Sequence, residues 1–448
     1  MFPLFFAHIL RADTSLEMEV LNKNRRYSNG PALRRVLLSM LLGLGVIQSV
    51  VAQENDVRAG DGTLVRIALI GDTGYIPAYE TVDEDEHYAT LDEYVAAEAA
   101  DWIKKNGSLG GFVVSPWVFE SATGSFMPAS GLYPVARAAE EVCKTEGCDF
   151  GVLLGDNIYP DGATLGSDGI SDARRFTDML DRPYGRFGAD TPGFTLYTLL
   201  GNHDWYHSRE GAVAQLEYLR RHPHFTMPDF FYRSMPERFA GEVELFVIDT
   251  QMLLASTVVY EDKLDADGRE IRHDERETFK DFMQPATDAE RNMVAWLESA
   301  LASSTARWKI VVGHHALWSG GGSKFEKARA LRKLLMPALC RYADAYIAGD
   351  DHVLEAYTDR CEGARPPLPL IVSGAGAKRR ALNTRFIQHQ LADNPELTQL
   401  WSKGSIWGFA HLRLQGDVMQ VDFFTTPSDS SGRPVLERRL EFQRRSAP

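Results

Sequence analysis

Short apolar runs rich in β-branched residues recur along the chain, and each ends in a glycine followed by a polar residue. Leu64 to Ile70 leads into Gly71-Asp72-Thr73-Gly74, Phe150 to Leu154 into Gly155-Asp156-Asn157-Ile158-Tyr159, and Phe194 to Leu200 into Gly201-Asn202-His203-Asp204. Further on, Trp308 to Val312 leads into Gly313-His314-His315, and Ala345 to Ala348 into Gly349-Asp350-Asp351-His352. Runs this short, closed by glycine, read as buried strands. Between them, Val135 to Val142, Ala212 to Arg221, Ala289 to Leu301 and Lys327 to Tyr342 place apolar residues near the 3.6-residue period and read as helices. Strand, loop and helix in alternation predict a layered α/β domain whose polar loops gather at the C-terminal edge of the strands.

The chain has 448 residues, 44% of them hydrophobic and 25% charged, enough for one large or two ordinary domains and too apolar for a disordered chain. Its 48 Lys and Arg against 62 Asp and Glu give a net charge of -14, which argues against affinity built on neutralising nucleic-acid phosphates. An anionic substrate therefore needs a local device to hold it. No internal repeat, P-loop, Gly-x-Ser-x-Gly elbow or dinucleotide fingerprint is present.

Residues 1–52 read as an N-terminal extension and signal peptide, ahead of a single domain at 53–448. Arg34 and Arg35 form a basic flank, Val36 to Val51 an apolar segment, and Val50-Val51-Ala52 a small-residue cleavage site before Gln53. The segment is interrupted by Gly43 and Gly45 and falls short of the roughly 18 to 20 apolar residues of a membrane span. Cleavage takes away three net positive charges and leaves -17, an acidic protein in the periplasm or outside the cell with no membrane span. Export permits disulfides, and the four cysteines fall into local couples, Cys143 with Cys148 and Cys340 with Cys361. A zinc role for the first couple lacks the further ligands that a site of about four requires.

A single Gly-Asp pair after a strand is ordinarily a turn. Five such loops together are better explained by a two-metal site, in which a shared carboxylate bridges two cations and hard oxygen and imidazole ligands complete each shell. Asp72, Asp156, Tyr159, Asn202, His314 and His352 supply that mixture.

The set resembles the calcineurin-like metallophosphoesterase superfamily and, within it, the purple (tartrate-resistant) acid phosphatases of the small type. The resemblance is carried by Gly-Asp-x-x-Tyr at 155–159, Gly-Asn-His-Asp at 201–204 and Val-x-x-His at 311–314. It continues through Phe230-Phe231-Tyr232-Arg233, Val247-Ile248-Asp249-Thr250, Trp318-Ser319, Ser373-Gly374-Ala375-Gly376 and Trp407-Gly408-Phe409-Ala410. It implies a four-layer α/β/β/α sandwich with two mixed β-sheets. It also implies that Asp72, Tyr159 and His352 hold one iron as Fe(III), that Asp156 bridges, and that Asn202 and His314 hold a divalent metal (Fe, Mn, Zn or Mg). A phenolate on Fe(III) gives such proteins their colour. In the implied reaction a metal-bound hydroxide attacks phosphorus, His203 binds the phosphoryl group or protonates the leaving oxygen, and Asp204 orients His203.

Two departures stand out. The family's last motif is Gly-His-x-His, whereas here Asp350 takes the place of the first histidine. Every other ligand position keeps a coordinating residue, so Asp350 is read as a ligand whose hard oxygen favours Mn, Mg or Fe over Zn. The second is Gly320-Gly321-Gly322, where mammalian-type relatives place a further active-site histidine. That leaves the acidic optimum uncarried. His315 and His207 are read as lining the substrate site, His207 together with Trp205 and Tyr206. Two inserted segments, near 76–131 and 261–285, interrupt the resemblance. The first, with its acidic start Asp83-Glu84-Asp85-Glu86 and a helix around Leu91 to Lys104, is placed at the active-site face as a lid or a solvated excursion. The expected activity is hydrolysis of small phosphomonoesters. The alternatives are a phosphodiesterase or nucleotide pyrophosphatase on the same site, and a non-catalytic metal- or phosphate-binding relative. The sequence does not specify the oligomeric state.

Overall fold

Two seven-stranded sheets carry the fold, and both are mixed. In the computed structural model, which describes residues 62–80, 87–363, 365–428 and 431–445, the first sheet runs Val435–Gln443, Val418–Thr426, Trp407–Gln415, Val65–Ile70, Phe150–Leu153, Leu196–Thr198, Phe225–Thr226. The second runs Leu397–Lys403, Leu354–Asp359, Leu368–Ser373, Ala345–Ala348, Trp308–Val312, Val243–Val247, Tyr232–Ser234. In each sheet a run of strands pairs in parallel; Trp407–Gln415, Val418–Thr426 and Val435–Gln443 add antiparallel strands to the first sheet, and Leu354–Asp359, Leu397–Lys403 and Tyr232–Ser234 add them to the second. The parallel strands are buried along nearly their whole length, as their apolar runs require.

The sheets face each other where Trp407–Gln415 meets Leu354–Asp359 and Leu368–Ser373. Helices cover the outer faces. Leu132–Thr145 buries Leu132, Val135, Ala138, Ala139 and Val142, an apolar stripe that packs on the antiparallel hairpin of the first sheet. Met293–Ser303 and Phe325–Tyr342 pack together on the side of the second. This is the expected four-layer α/β/β/α arrangement.

Parallel strands in one register bring their C-terminal ends to one edge, and the two sheets are joined there. Gly71 N–H donates to Ser373 O at 2.9 Å and Gly376 N–H to Gly71 O at 3.0 Å, while within the second sheet Gly349 N–H donates to His314 O at 2.9 Å. The polar loops thus form a continuous rim.

The segment 76–131 folds into a helix, Leu91–Asn106, and a two-stranded hairpin, Trp117–Glu120 with Ser125–Pro128. Thr90 and Glu93 form a capping box at the helix start, and Gly107, in the left-handed region, ends it. The segment is anchored near the rim: Tyr75 Oη donates to Pro128 O at 3.1 Å, and Asn106 Nδ2 to Leu382 O at 3.2 Å. The acidic run at 83–86 and the proposed signal peptide lie outside the described residues. Both cysteine couples are closed as disulfides, which removes any metal role for Cys143 and Cys148. Among the described residues no helix is long and apolar enough to cross a membrane.

Candidate metal centre

Each candidate ligand leaves the end of a strand through a tight turn. Asp72, Asp156 and Asp350 adopt φ values of 58°, 52° and 67°. A residue other than glycine held there carries on the order of 1–3 kcal/mol of strain, tolerated best by short polar side chains such as Asp. The strain is concentrated at the rim, where such outliers accompany function. The neighbouring loops must come very close to these carboxylates. A Cβ on Gly201 would lie 2.2 Å from Asp156 Oδ1, and one on Gly349 would lie 2.6 Å from Asp72 Oδ2, so only glycine fits either position.

The side chains converge in two groups that share Asp156. In the first, Tyr159 Oη lies 2.9 Å from Asp156 Oδ2, 3.2 Å from Asp72 Oδ1 and 3.2 Å from His352 Nε2. In the second, His314 Nε2 lies 3.4 Å from Asp156 Oδ1, 3.2 Å from Asn202 Oδ1 and 3.8 Å from Asp350 Oδ1. His314 Nδ1 faces Leu154 O at 2.8 Å, which turns Nε2 towards the carboxylates. Asn202 is fixed by donating to Tyr206 Oη at 2.7 Å. All seven side chains are buried.

Burial of three carboxylates this close together is electrostatically unfavourable without a cation. Burial drives the Asp72 carboxyl well above the usual range, and repulsion from Asp156 and Asp350 adds to the effect. Burial works the same way on Asp156, but His314 and His203 overcome it and hold that carboxyl low. Against its own burial, the His314 imidazole is raised to about 10 by Asp156, with Asp72 and Asp350 adding to it. Asp72, Asp156 and His314 each offer a ligand atom within 4.8 Å of the others. Hard oxygens with imidazole nitrogens, buried and in excess of negative charge, fit metal cations.

Other expected residues sit differently. His203 is half-buried, with Nδ1 at 2.5 Å from Pro160 O and its ring against Tyr159 at a centroid distance of 4.1 Å. Burial lowers its pKa to about 4. The expected pairing of Asp204 with the His203 ring is replaced by the Pro160 carbonyl. Asp204 instead accepts from the N–H groups of Gly201, Asn157 and Ile158 and from Gln215 Nε2 at 2.8–3.2 Å. His315 is fully buried behind His314, with Nδ1 at 2.8 Å from Thr250 Oγ1, so it does not line a substrate path. His207 is turned towards Asp161: its N–H donates to Asp161 O at 3.1 Å, and its ring opposes the rise that burial imposes on that carboxyl. Trp205 is also fully buried and donates to Asp249 Oδ2 at 2.9 Å.

The sequence reading missed the cations at the rim. Lys324 Nζ lies 2.7 Å from Asp350 Oδ1, Lys378 Nζ lies 5.2 Å from the Tyr159 ring centre, and Arg380 Nε lies 3.2 Å from Asp351 Oδ1. Nothing in their spacing marks them, because they come from loops that only the fold brings to the ligands. The local device for an anion is therefore not metal alone.

The sequence profile of the calcineurin-like phosphoesterase family matches residues 65–354. Purple acid phosphatase 17 of Arabidopsis thaliana is 29% identical over 340 residues, covering 75% of this chain and 87% of that protein. Tartrate-resistant acid phosphatase type 5 of Mus musculus is 26% identical over 310 residues, covering 68% and 83%. Among solved structures, GAP50, the anchor in the inner membrane complex of Plasmodium, aligns with a TM-score of 0.51 at 16% identity, covering 86% of this chain and 90% of that one, a likeness of fold alone. With more than half its length matched and a buried Asp72, Asp156 and His314 group able to hold a metal ion, the chain belongs to the calcineurin-like phosphoesterase family and is a metal-dependent phosphatase.

Proposed function

We propose that the protein is an exported phosphatase that hydrolyses small phosphomonoesters at a two-metal centre. Asp72, Tyr159 and His352 hold an iron as Fe(III), Asn202, His314 and Asp350 hold a divalent metal, and Asp156 is shared. The observation that carries the reading is the position of Asp156, with Oδ2 at 2.9 Å from Tyr159 and Oδ1 at 3.4 Å from His314. One carboxylate facing two donor sets suits a bridging ligand. Such a metal pair, when bound, activates water and neutralises charge on the phosphoryl oxygens.

The chain's own residues arrange the rest. His203 Nδ1–H donates to the Pro160 carbonyl, which leaves Nε2 available to exchange a proton with the leaving oxygen. Tyr206 holds the Asn202 carboxamide so that its oxygen faces inward. Lys378 and Arg380 add positive charge at the rim of an otherwise acidic protein, which draws anionic substrates in. Export is supported by the two closed disulfides, which persist in oxidising compartments.

Turnover of 4-nitrophenyl phosphate compared with bis(4-nitrophenyl) phosphate tests the substrate class. The monoester is expected to be the better substrate by kcat/KM; preference for the diester overturns this part of the reading.

A further inference from the structure

Lys324 is placed with more precision than a surface lysine needs. It precedes the helix Phe325–Tyr342 with a φ of 80°, and its side chain is only 24% exposed. Its main-chain N–H donates to Asp262 Oδ2 at 2.5 Å, and Glu326 N–H donates to Asp262 Oδ1 at 2.8 Å. Asp262 belongs to the second inserted segment, so an element outside the shared family pattern fixes the helix start that aims Lys324 at the site. The ammonium reaches Asp350 Oδ1 at 2.7 Å, the same oxygen that lies 3.8 Å from His314 Nε2.

The charges explain why these two residues occur together. An imidazole at position 350 would be a neutral donor. A carboxylate there adds one negative charge to a site already holding Asp72 and Asp156, and the ammonium of Lys324 cancels it. An ammonium also has three N–H donors, of which Asp350 takes one. Among the described residues the others have no protein acceptor, and a phosphoryl oxygen is the acceptor such a site would receive.

We propose that Lys324 and Asp350 act as a pair in place of an imidazole at the second metal position, Asp350 supplying the donor atom and Lys324 the compensating charge and a contact to the phosphoryl group. The proposal rests on the two-metal reading above. Its test is therefore binding rather than turnover: equilibrium Mn2+ binding to metal-depleted protein, and inorganic phosphate binding to the metal-loaded protein, with melting temperature as a check on folding.

Lys324→Met removes a positive charge beside the cation, so the second Mn2+ is expected to bind about tenfold more tightly and phosphate about tenfold more weakly. Asp350→His alone leaves the ammonium uncompensated and is expected to weaken the second Mn2+ about tenfold, while the double variant Asp350→His with Lys324→Met recovers the wild-type affinity. Lys324→Gln serves as the second variant if the methionine variant does not fold. Unchanged Mn2+ and phosphate affinities on loss of Lys324, or a double variant no better than Asp350→His, overturn the pairing. A wild-type protein that takes up no second Mn2+ overturns the two-metal reading itself, and the pairing falls with it.

Discussion

The carboxylate of Asp204 accepts the main-chain N–H of Ile158 at 3.0 Å, which ties the loop carrying Asp156 and Tyr159 to the loop carrying Asn202 and His203. Asn157, Gly201 and Gln215 donate to the same carboxylate. Asp204 is thus the brace between these two loops rather than the partner of the His203 imidazole. Burial, with repulsion from Asp156 adding to it, raises its pKa to about 7, and the N–H groups that donate to it oppose that rise.

Removing that brace strands several buried donors. Asp204→Ala is expected to lower the unfolding free energy by about 3 kcal/mol and to reduce bound metal, measured by chemical denaturation and elemental analysis. His203→Ala keeps the main-chain N–H that donates to Asp156 at 2.9 Å and is expected to retain metal while losing turnover. Equal metal loss in both variants would contradict this division of labour.

Tyr159 tests the identity of the first metal. Its hydroxyl lies within 3.2 Å of Asp72, Asp156 and His352, the place of a phenolate ligand. If Fe(III) is bound there, the protein as purified absorbs in the visible range, and Tyr159→Phe removes the band while leaving the metal at the His314 position. A band that persists in Tyr159→Phe would assign the colour to another group.

His411 makes stability depend on pH away from the site. It is fully buried; Nε2 donates to Gly147 O at 2.9 Å, and among the described residues Nδ1 has no hydrogen-bond partner. Burial lowers its pKa from 6.5 to about 4. Above pH 6.5 neither folded nor unfolded chain binds this proton. Between 6.5 and 4 only the unfolded chain does, so stability decreases as pH is lowered through that window, by up to ~3 kcal/mol from this residue. Unfolding free energies of wild type and His411→Gln at several pH values check it: the variant gains on the wild type as pH falls from 7 to 4. Parallel profiles would exclude the histidine as the cause.

Much of the site was legible because a strand that ends in glycine and a polar residue delivers that residue to the sheet edge. The strands at 308–312 and 345–348 occur where the pattern placed them, and the helix read over Leu91 to Lys104 spans Leu91–Asn106. Elsewhere the periodicity stopped short. Val135 to Val142 is the centre of Leu132–Thr145, and the run from Ala289 to Leu301 is broken at Asn292 into Asp288–Arg291 and Met293–Ser303. What sequence could not show was partnership across the fold. Lys324 meets Asp350 only because Asp262 caps its helix, and His203 meets the Pro160 carbonyl only because two loops pack together. His315 lies beside His314 in sequence, yet in the bend after Trp308–Val312 it is held in the core by Thr250.

The two-metal centre is tested most directly by turnover of 4-nitrophenyl phosphate by the chain from residue 53, before and after chelation, then with Fe and Mn, Zn or Mg restored. A two-metal phosphatase is expected to show hydrolysis that chelation abolishes and that a pair of metals, but not either alone, restores. Full activity in the chelated, metal-free protein would contradict it.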